Sequence, residues 1–178
     1  MRIEPVPDLA YPGVSLRQLE RSDVDDWYAY LTLPAVFEHT SWDLQSREEL
    51  LAMFDEFEAN AAQSSRRLAI VENTGQKLIG TIGFHTISNV NRTAEISYDL
   101  SPAYWGKGIA RTVCDAVSAW SFETYGFVRI QATVLPDNSR SVQVLQRCRY
   151  QYEGLLRCFR MVRGTPRDFA LYSRLMSD

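Results

Sequence analysis

The chain has 178 residues, 46% of them hydrophobic and 23% charged, with a formal net charge of −3. That length suffices for one domain with a substantial core, and the mild acidity leaves no basic footprint for nucleic acid. No apolar run approaches the roughly 18 residues of a membrane span, and Glu4, Pro5, Pro7 and Asp8 do not give the positive-then-apolar layout of a signal peptide.

Residues 1–13 form a proline-rich lead-in. Val14 to Leu19 alternates and predicts a first strand. Ser22 or Asp23 caps a helix to about Leu31, with Val24, Trp27, Tyr28 and Leu31 on its buried face. Leu33-Pro34 breaks it, and residues 34–45, holding His39, Trp42 and Asp43, read as irregular. Ser46 and Glu49 form a capping box that opens a helix to about Ala62. Leu68–Glu72 is a strand, Asn73–Gln76 a hairpin turn, and Leu78–His85 the partner strand. Asn89–Asn91 turns into the strand Ala94–Leu100. There Ala94, Ile96, Tyr98 and Leu100 face one way, and Glu95, Ser97 and Asp99 the other. A helix follows from 108 to about 125, with Gly126 as its C-cap. Val128–Leu135 is a strand, Asn138 begins a helix with Val142, Leu145 and Cys148 on one face, and Tyr152–Val162 with Arg167–Leu175 close the chain as an antiparallel pair. Cys114, Cys148 and Cys158 show no metal or redox spacing and read as buried thiols in a reducing compartment, which gives a cytoplasmic expectation. No repeat or linker divides residues 1–178, so a single domain is expected.

The stretch Glu95 to Arg111 carries the functional signal. A strand stops at Ser101-Pro102, Gly106 and Gly108 follow, and a helical apolar pattern starts at Ile109. The first N–H groups of a helix lack intrahelical partners, and with the helix dipole they attract anions. Glycines let a phosphate approach the backbone. The P-loop pattern is absent, and the dinucleotide pattern would need glycine where Arg111 stands.

Trp105-Gly106-Lys107-Gly108-Ile109-Ala110 resembles motif A of the GNAT acetyltransferase superfamily, with Trp105 where the family has Arg or Gln. The element order also resembles that family across nearly the whole chain. The likeness is nearest its RimJ/RimL-like branch, through Leu16-Arg17, Asp23, Trp42, Asp168 and Tyr172. The resemblance implies an α/β (α+β) fold: a mixed, mostly antiparallel sheet of about seven strands, splayed at the cofactor site and flanked by helices. It implies an N-acetyltransferase using acetyl-CoA, without metal, acting on a primary amine, foremost a protein N-terminus of ribosomal type, as monomer or homodimer. Leu100, Ser101, Pro102, Trp105, Gly106, Lys107, Gly108, Ile109, Ala110 and Arg111 would then hold coenzyme A. Asn138 would meet its pantetheine arm and Ser141 its sulfur.

Many relatives place a tyrosine four residues after that serine, to protonate the departing thiolate; Leu145 stands here, so no phenol is expected. Arg149 occupies the place of a helix-ending glycine. Glu95 is the candidate base. Deprotonating an α-amine of pKa near 8 costs about 1.4 kcal/mol at pH 7, against roughly 4.6 for a lysine, so modest help through a water suffices. Glu95 reads equally as a salt-bridged strand residue. His39, Trp42 and Tyr98 are candidates for the acceptor cleft, with surface exposure for the histidine and core packing for the aromatics as the alternatives. His85 has no expected role, and Arg157, Arg160, Arg163 and Arg167 read as a solvated hairpin face. Rival readings are a small-molecule amine acceptor (an amino acid, polyamine or antibiotic) and an acyl-CoA-binding protein without catalysis.

Overall fold

The computed structural model describes residues 3–59 and 64–178. Seven strands form one sheet in the order β1-β2-β3-β4-β5-β7-β6. They are β1 (Val14–Gln18), β2 (Arg66–Glu72), β3 (Leu78–Ser88), β4 (Thr93–Leu100), β5 (Arg129–Val134), β6 (Gln151–Val162) and β7 (Thr165–Leu175). The helices are α1 (Val24–Leu31), α2 (Pro34–Phe37), α3 (Arg47–Glu58), α4 (Ile109–Tyr125) and α5 (Ser139–Arg147). Every pairing is antiparallel except β4 with β5, as the expected mixed sheet requires.

The apolar run of β2 does not alternate because both faces of the sheet are covered. Leu68 and Ile70 join the core that also holds Val113, Val117 and Leu145 from α4 and α5. Ala69 and Val71 join a second core with Trp27, Leu50 and Phe54 from α1 and α3. Trp27 packs edge-on against Trp42 and Phe54, at centroid distances of 5.8 and 6.3 Å.

The parallel β4–β5 ladder is short. It runs from Thr93↔Arg129 to Glu95↔Gln131 and stops. Beyond it the strands part, and the backbone of Ile96–Leu100 loses its ladder on that side while keeping unbroken register with β3, from His85↔Glu95 to Gly80↔Leu100. A sheet that opens there presents unpaired backbone groups along a slot.

Several expectations need correction. Residues 34–45 are not wholly irregular: Pro34 stands at the first position of α2, where its missing N–H costs nothing. Asp23 does not cap α1 with its side chain; it is buried, accepts from the Glu20 amide and pairs with Arg17 at 2.6 Å. Ser46 makes no side-chain cap to α3, and Glu49 reaches the Gln45 amide instead of that of Ser46. That helix ends at Glu58, short of the expected Ala62, because Ala59 turns to ψ 135°; residues 60–62 of the expected span lie outside the described residues. Cys114 and Cys148 are buried as expected, but Cys158 is exposed.

Arg149 does not turn differently for want of glycine. It adopts φ +66° itself, and the amides of Arg149 and Tyr150 bond back to the carbonyls of Gln146 and Leu145. This is a complete Schellman ending for α5 with a Cβ in the left-handed position. Among the described residues no helix is long and apolar enough to cross a membrane.

Candidate active site

The slot between β4 and β5 joins two cavities. The first, about 660 Å3, lies over the start of α4. Gly106 (φ +74°) and Gly108 (φ +81°) bound it, and a Cβ at either would meet no atom within 4 Å. The space above this backbone is open. Gly108 is the N-cap of α4, and no side chain caps the helix, so the amides of Ile109, Ala110 and Arg111 are left for a ligand. Lys107, Arg111, Arg140 and Arg147 line the same cavity, against one carboxylate, Asp99, which is already paired with Arg67. Four cations, bare amides and the helix dipole define an anion site, and the residues fit a pyrophosphate carrier. Arg140 was not legible as part of it. Its guanidinium lies 4.3 Å from the Trp105 ring centroid, while the indole N–H donates to the Leu100 carbonyl at 2.7 Å. Trp105 thus pins the turn and holds the Arg140 guanidinium against its ring.

Of the expected cofactor residues, Leu100, Trp105, Gly106, Lys107, Gly108, Ile109, Ala110, Arg111, Asn138 and Ser141 line this cavity. Ser101 and Pro102 do not. The Ser101 amide is spent on the Ile79 carbonyl and its own carbonyl accepts from Tyr104, so the pair builds the turn and does not face the ligand space.

The second cavity, about 490 Å3, lies on the opposite side of the slot. His39, Thr40, Tyr98, Asp99, Asn138 and Ser141 line both cavities, which makes them the junction. Asn138 accepts from the Ser141 amide at 3.1 Å as the α5 cap. The Ser141 hydroxyl lies 2.9 Å from that of Tyr98. A phenol is therefore present after all, supplied by β4 instead of α5. Its burial, foremost, pushes the Tyr98 phenol well above its ordinary range, so it stays protonated and serves as a hydrogen-bond donor. His39 reaches the junction with Nδ1 buried and without a protein partner. Trp42 lines the second cavity and packs on Trp27, so wall and core are one residue here.

Glu95 is buried in the second cavity. It accepts from Thr133 at 2.5 Å and from Arg160 at 2.8 Å, and His85 Nε2 lies 3.4 Å away. Burial pushes this carboxyl up, but the hydrogen bonds from His85 and Thr133 with the charge of Arg160 outweigh it and hold it down at about 2. Glu95 is thus held as a carboxylate facing Arg160 and His85.

The hairpin arginines are not uniformly solvated either. Register breaks between Leu156 and Arg160 turn Arg160 toward Glu95. Arg163 donates to the Thr40 carbonyl at 3.1 Å and stacks on Phe37 at 3.7 Å. The β6–β7 hairpin thereby closes the acceptor end. No periodicity in the sequence announces a bulge of that kind. Among the described residues no cluster of metal-binding side chains occurs.

The family model for the acetyltransferase (GNAT) domain matches residues 14–151. The chain is 34% identical to the uncharacterized N-acetyltransferase YoaA of Bacillus subtilis over 170 residues, covering 94% of this chain and 96% of that protein. It is 31% identical to the ribosomal-protein-serine acetyltransferase of Escherichia coli over 102 residues, 57% of each chain. The structure of the spermidine N-acetyltransferase of Vibrio cholerae, solved with CoA and spermine, superposes with a TM-score of 0.82 at 24% identity, over 94% of this chain and 98% of that one. The chain belongs to the GNAT family of acetyl-CoA-dependent N-acetyltransferases.

Proposed function

We propose that this enzyme acetylates α-amines, foremost the N-terminus of a protein or peptide, as a member of the RimJ/RimL-like branch. The observation that carries the reading is the charge balance of the acceptor cavity. Its carboxylates Glu95 and Asp99 are matched by Arg160 at 2.8 Å and Arg67 at 2.6 Å, and Arg66 also lines the wall. A polyamine carries several charges at neutral pH and gains from unmatched carboxylates. Among the described residues of the lining only Glu56 remains, and it accepts from Ser65 at 2.5 Å. An α-amine brings a single charge and sheds it at modest cost.

When bound, acetyl-CoA supplies the activated acetyl group. The amides of Ile109–Arg111 with Lys107, Arg111, Arg140 and Arg147 would hold its phosphates, and the open edge of β4 would flank its pantetheine. Ser141, oriented by the Asn138 cap and backed by the Tyr98 hydroxyl, would donate a hydrogen bond at the sulfur. A thiol of pKa near 8.5 is a fair leaving group, so that donor with solvent suffices. The two buried cysteines, Cys114 and Cys148, sit within α4 and just past α5, away from the helix starts that activate nucleophilic thiols. Direct attack by the amine follows.

A polyamine acceptor is the second reading, favoured by the fold shared with the spermidine enzyme and by Glu56. Thiol release, with mass spectrometry on the product, separates the two. Peptides with free N-termini should exceed both spermidine and Nα-blocked lysine peptides by at least about tenfold in kcat/KM. The reverse order would contradict the proposal.

A further inference from the structure

We propose that His85 is the residue that takes the proton from the attacking amine, with Glu95 as the positioning residue behind it. The inference rests on the acetyl-transfer reading above and names the base that reading lacks. His85 stands directly across from Glu95 in the β3–β4 ladder. Its Nε2 faces Glu95 Oε1 at 3.4 Å, and its side chain, 31% exposed, reaches the acceptor cavity. Among the described residues no protein group hydrogen-bonds Nδ1. A carboxylate on one ring nitrogen fixes the tautomer and leaves the other nitrogen as an acceptor. With Nε2–H donating to Glu95, the Nδ1 lone pair is left to accept, on a side chain that lines the acceptor cavity.

The alternative proton acceptors compare poorly. Thr133, Arg160 and His85 all converge on Oε1 of Glu95, which holds that carboxyl as the anion. Asp99 is saturated by Arg67, Thr81 and Tyr30. A carboxyl held well below the usual carboxylate range by these partners is a weak proton acceptor. The charged and titratable groups that line the cavity with His85 are Glu95, Tyr98 and Asp99 from β4, Arg160 from β6, Arg66 and Arg67 from β2, Glu56 from α3, and His39. Glu95 is the one in contact.

The step balances simply. The ammonium N–H bond breaks and its proton goes to His85 Nδ1, directly or through one water. The freed nitrogen lone pair forms the new C–N bond at the acetyl carbonyl carbon, the adduct nitrogen gives its second proton to solvent, and the C–S bond breaks. The thiolate takes a proton from solvent across the Ser141–Tyr98 pair, and the imidazolium returns its own to solvent.

The chain holds two histidines, His39 and His85, which makes the test direct. First, the pH profile of kcat/KM is measured for an N-terminal peptide with wild type, His85→Gln, His85→Asn and Glu95→Gln. Second, the imidazole titrations of the untagged, ligand-free protein are followed by NMR. Both His85 variants should lose about 10²–10³-fold in kcat and the rising limb near neutrality, with KM for acetyl-CoA within twofold of wild type. Glu95→Gln should move the His85 titration and the kinetic limb together to lower pH, because the anion that favours imidazolium is gone. Wild-type kcat and limb in both His85 variants would overturn the proposal. So would loss of the limb in His39→Gln instead, or a His85 titration indifferent to Glu95→Gln. A wild type that turns over spermidine alone would sink the α-amine reading, and the profiles taken with spermidine as acceptor would then decide the role of His85.

Discussion

At the residue scale, most of the site's work is done by pairs. Asp99 accepts from Arg67 and Thr81, each at 2.6 Å, and from Tyr30. Arg67 is only 7% exposed and packs between Trp27 and Trp42. Removing one member of such a pair leaves the other charge buried. Asp99→Ala should therefore cost about 3–5 kcal/mol in denaturant unfolding, far beyond a surface change; a loss below about 1 kcal/mol would show that Arg67 finds water instead. The pair Glu95–Arg160 makes a different prediction. A carboxyl lowered to about 2 from the ordinary value near 4.5 stabilises the fold above the unfolded value, and that contribution is lost as pH falls from about 4.5 toward 2. The span corresponds to roughly 3 kcal/mol. The stability gap between wild type and Glu95→Gln, followed by chemical denaturation, should shrink over that window and stay flat above about pH 5.5. The site residues that the sequence made legible were those tied to backbone: the glycines, Asn138 and Ser141. Arg140, Arg160 and His85 were not, because their roles come from strands and helices far apart in the chain.

At the element scale, the alternation of β4 and the abrupt start of α4 were readable, since periodicity and glycine placement are local. The β6–β7 register breaks were not, and with them went the view of the hairpin as a solvated face. The phenol at Ser141 was missed for a related reason: spacing along α5 says nothing about what β4 delivers to it. Arg149 offers a test on the end of α5. Its left-handed conformation costs on the order of 1 kcal/mol for a residue with a Cβ, partly offset by the added freedom of an unfolded glycine. Arg149→Gly should raise stability by up to about 1 kcal/mol, even though the contact of Arg149 with the Asp178 carbonyl is lost. A fall in thermal midpoint would mean that this contact outweighs the strain. For α4, Gly108→Trp puts a side chain into the open space over the N-terminal amides. Calorimetry should then find coenzyme A affinity reduced by at least about a hundredfold in a protein still folded by circular dichroism, whereas unchanged affinity would move the phosphate site elsewhere.

At the scale of the whole molecule, the sheet is a partition with a slot in it. One side carries the cationic cradle of α4 and α5, the other the charge-balanced cavity under the β6–β7 hairpin, and β4 with β5 part to connect them. The overall fold was legible because both layers of helix leave their mark on strand composition. The division of charge between the two cavities was not, since it depends on which arginines are already spent. That division predicts opposite salt responses: coenzyme A affinity should weaken as salt rises, while KM for an N-terminal peptide should change little. The most direct measurement is a crystal structure with coenzyme A soaked in. The account predicts the pyrophosphate on the amides of Ile109–Arg111 and the thiol beside Ser141 Oγ, within reach of the His85 cavity. A coenzyme bound elsewhere, or a thiol directed away from the slot, would contradict it.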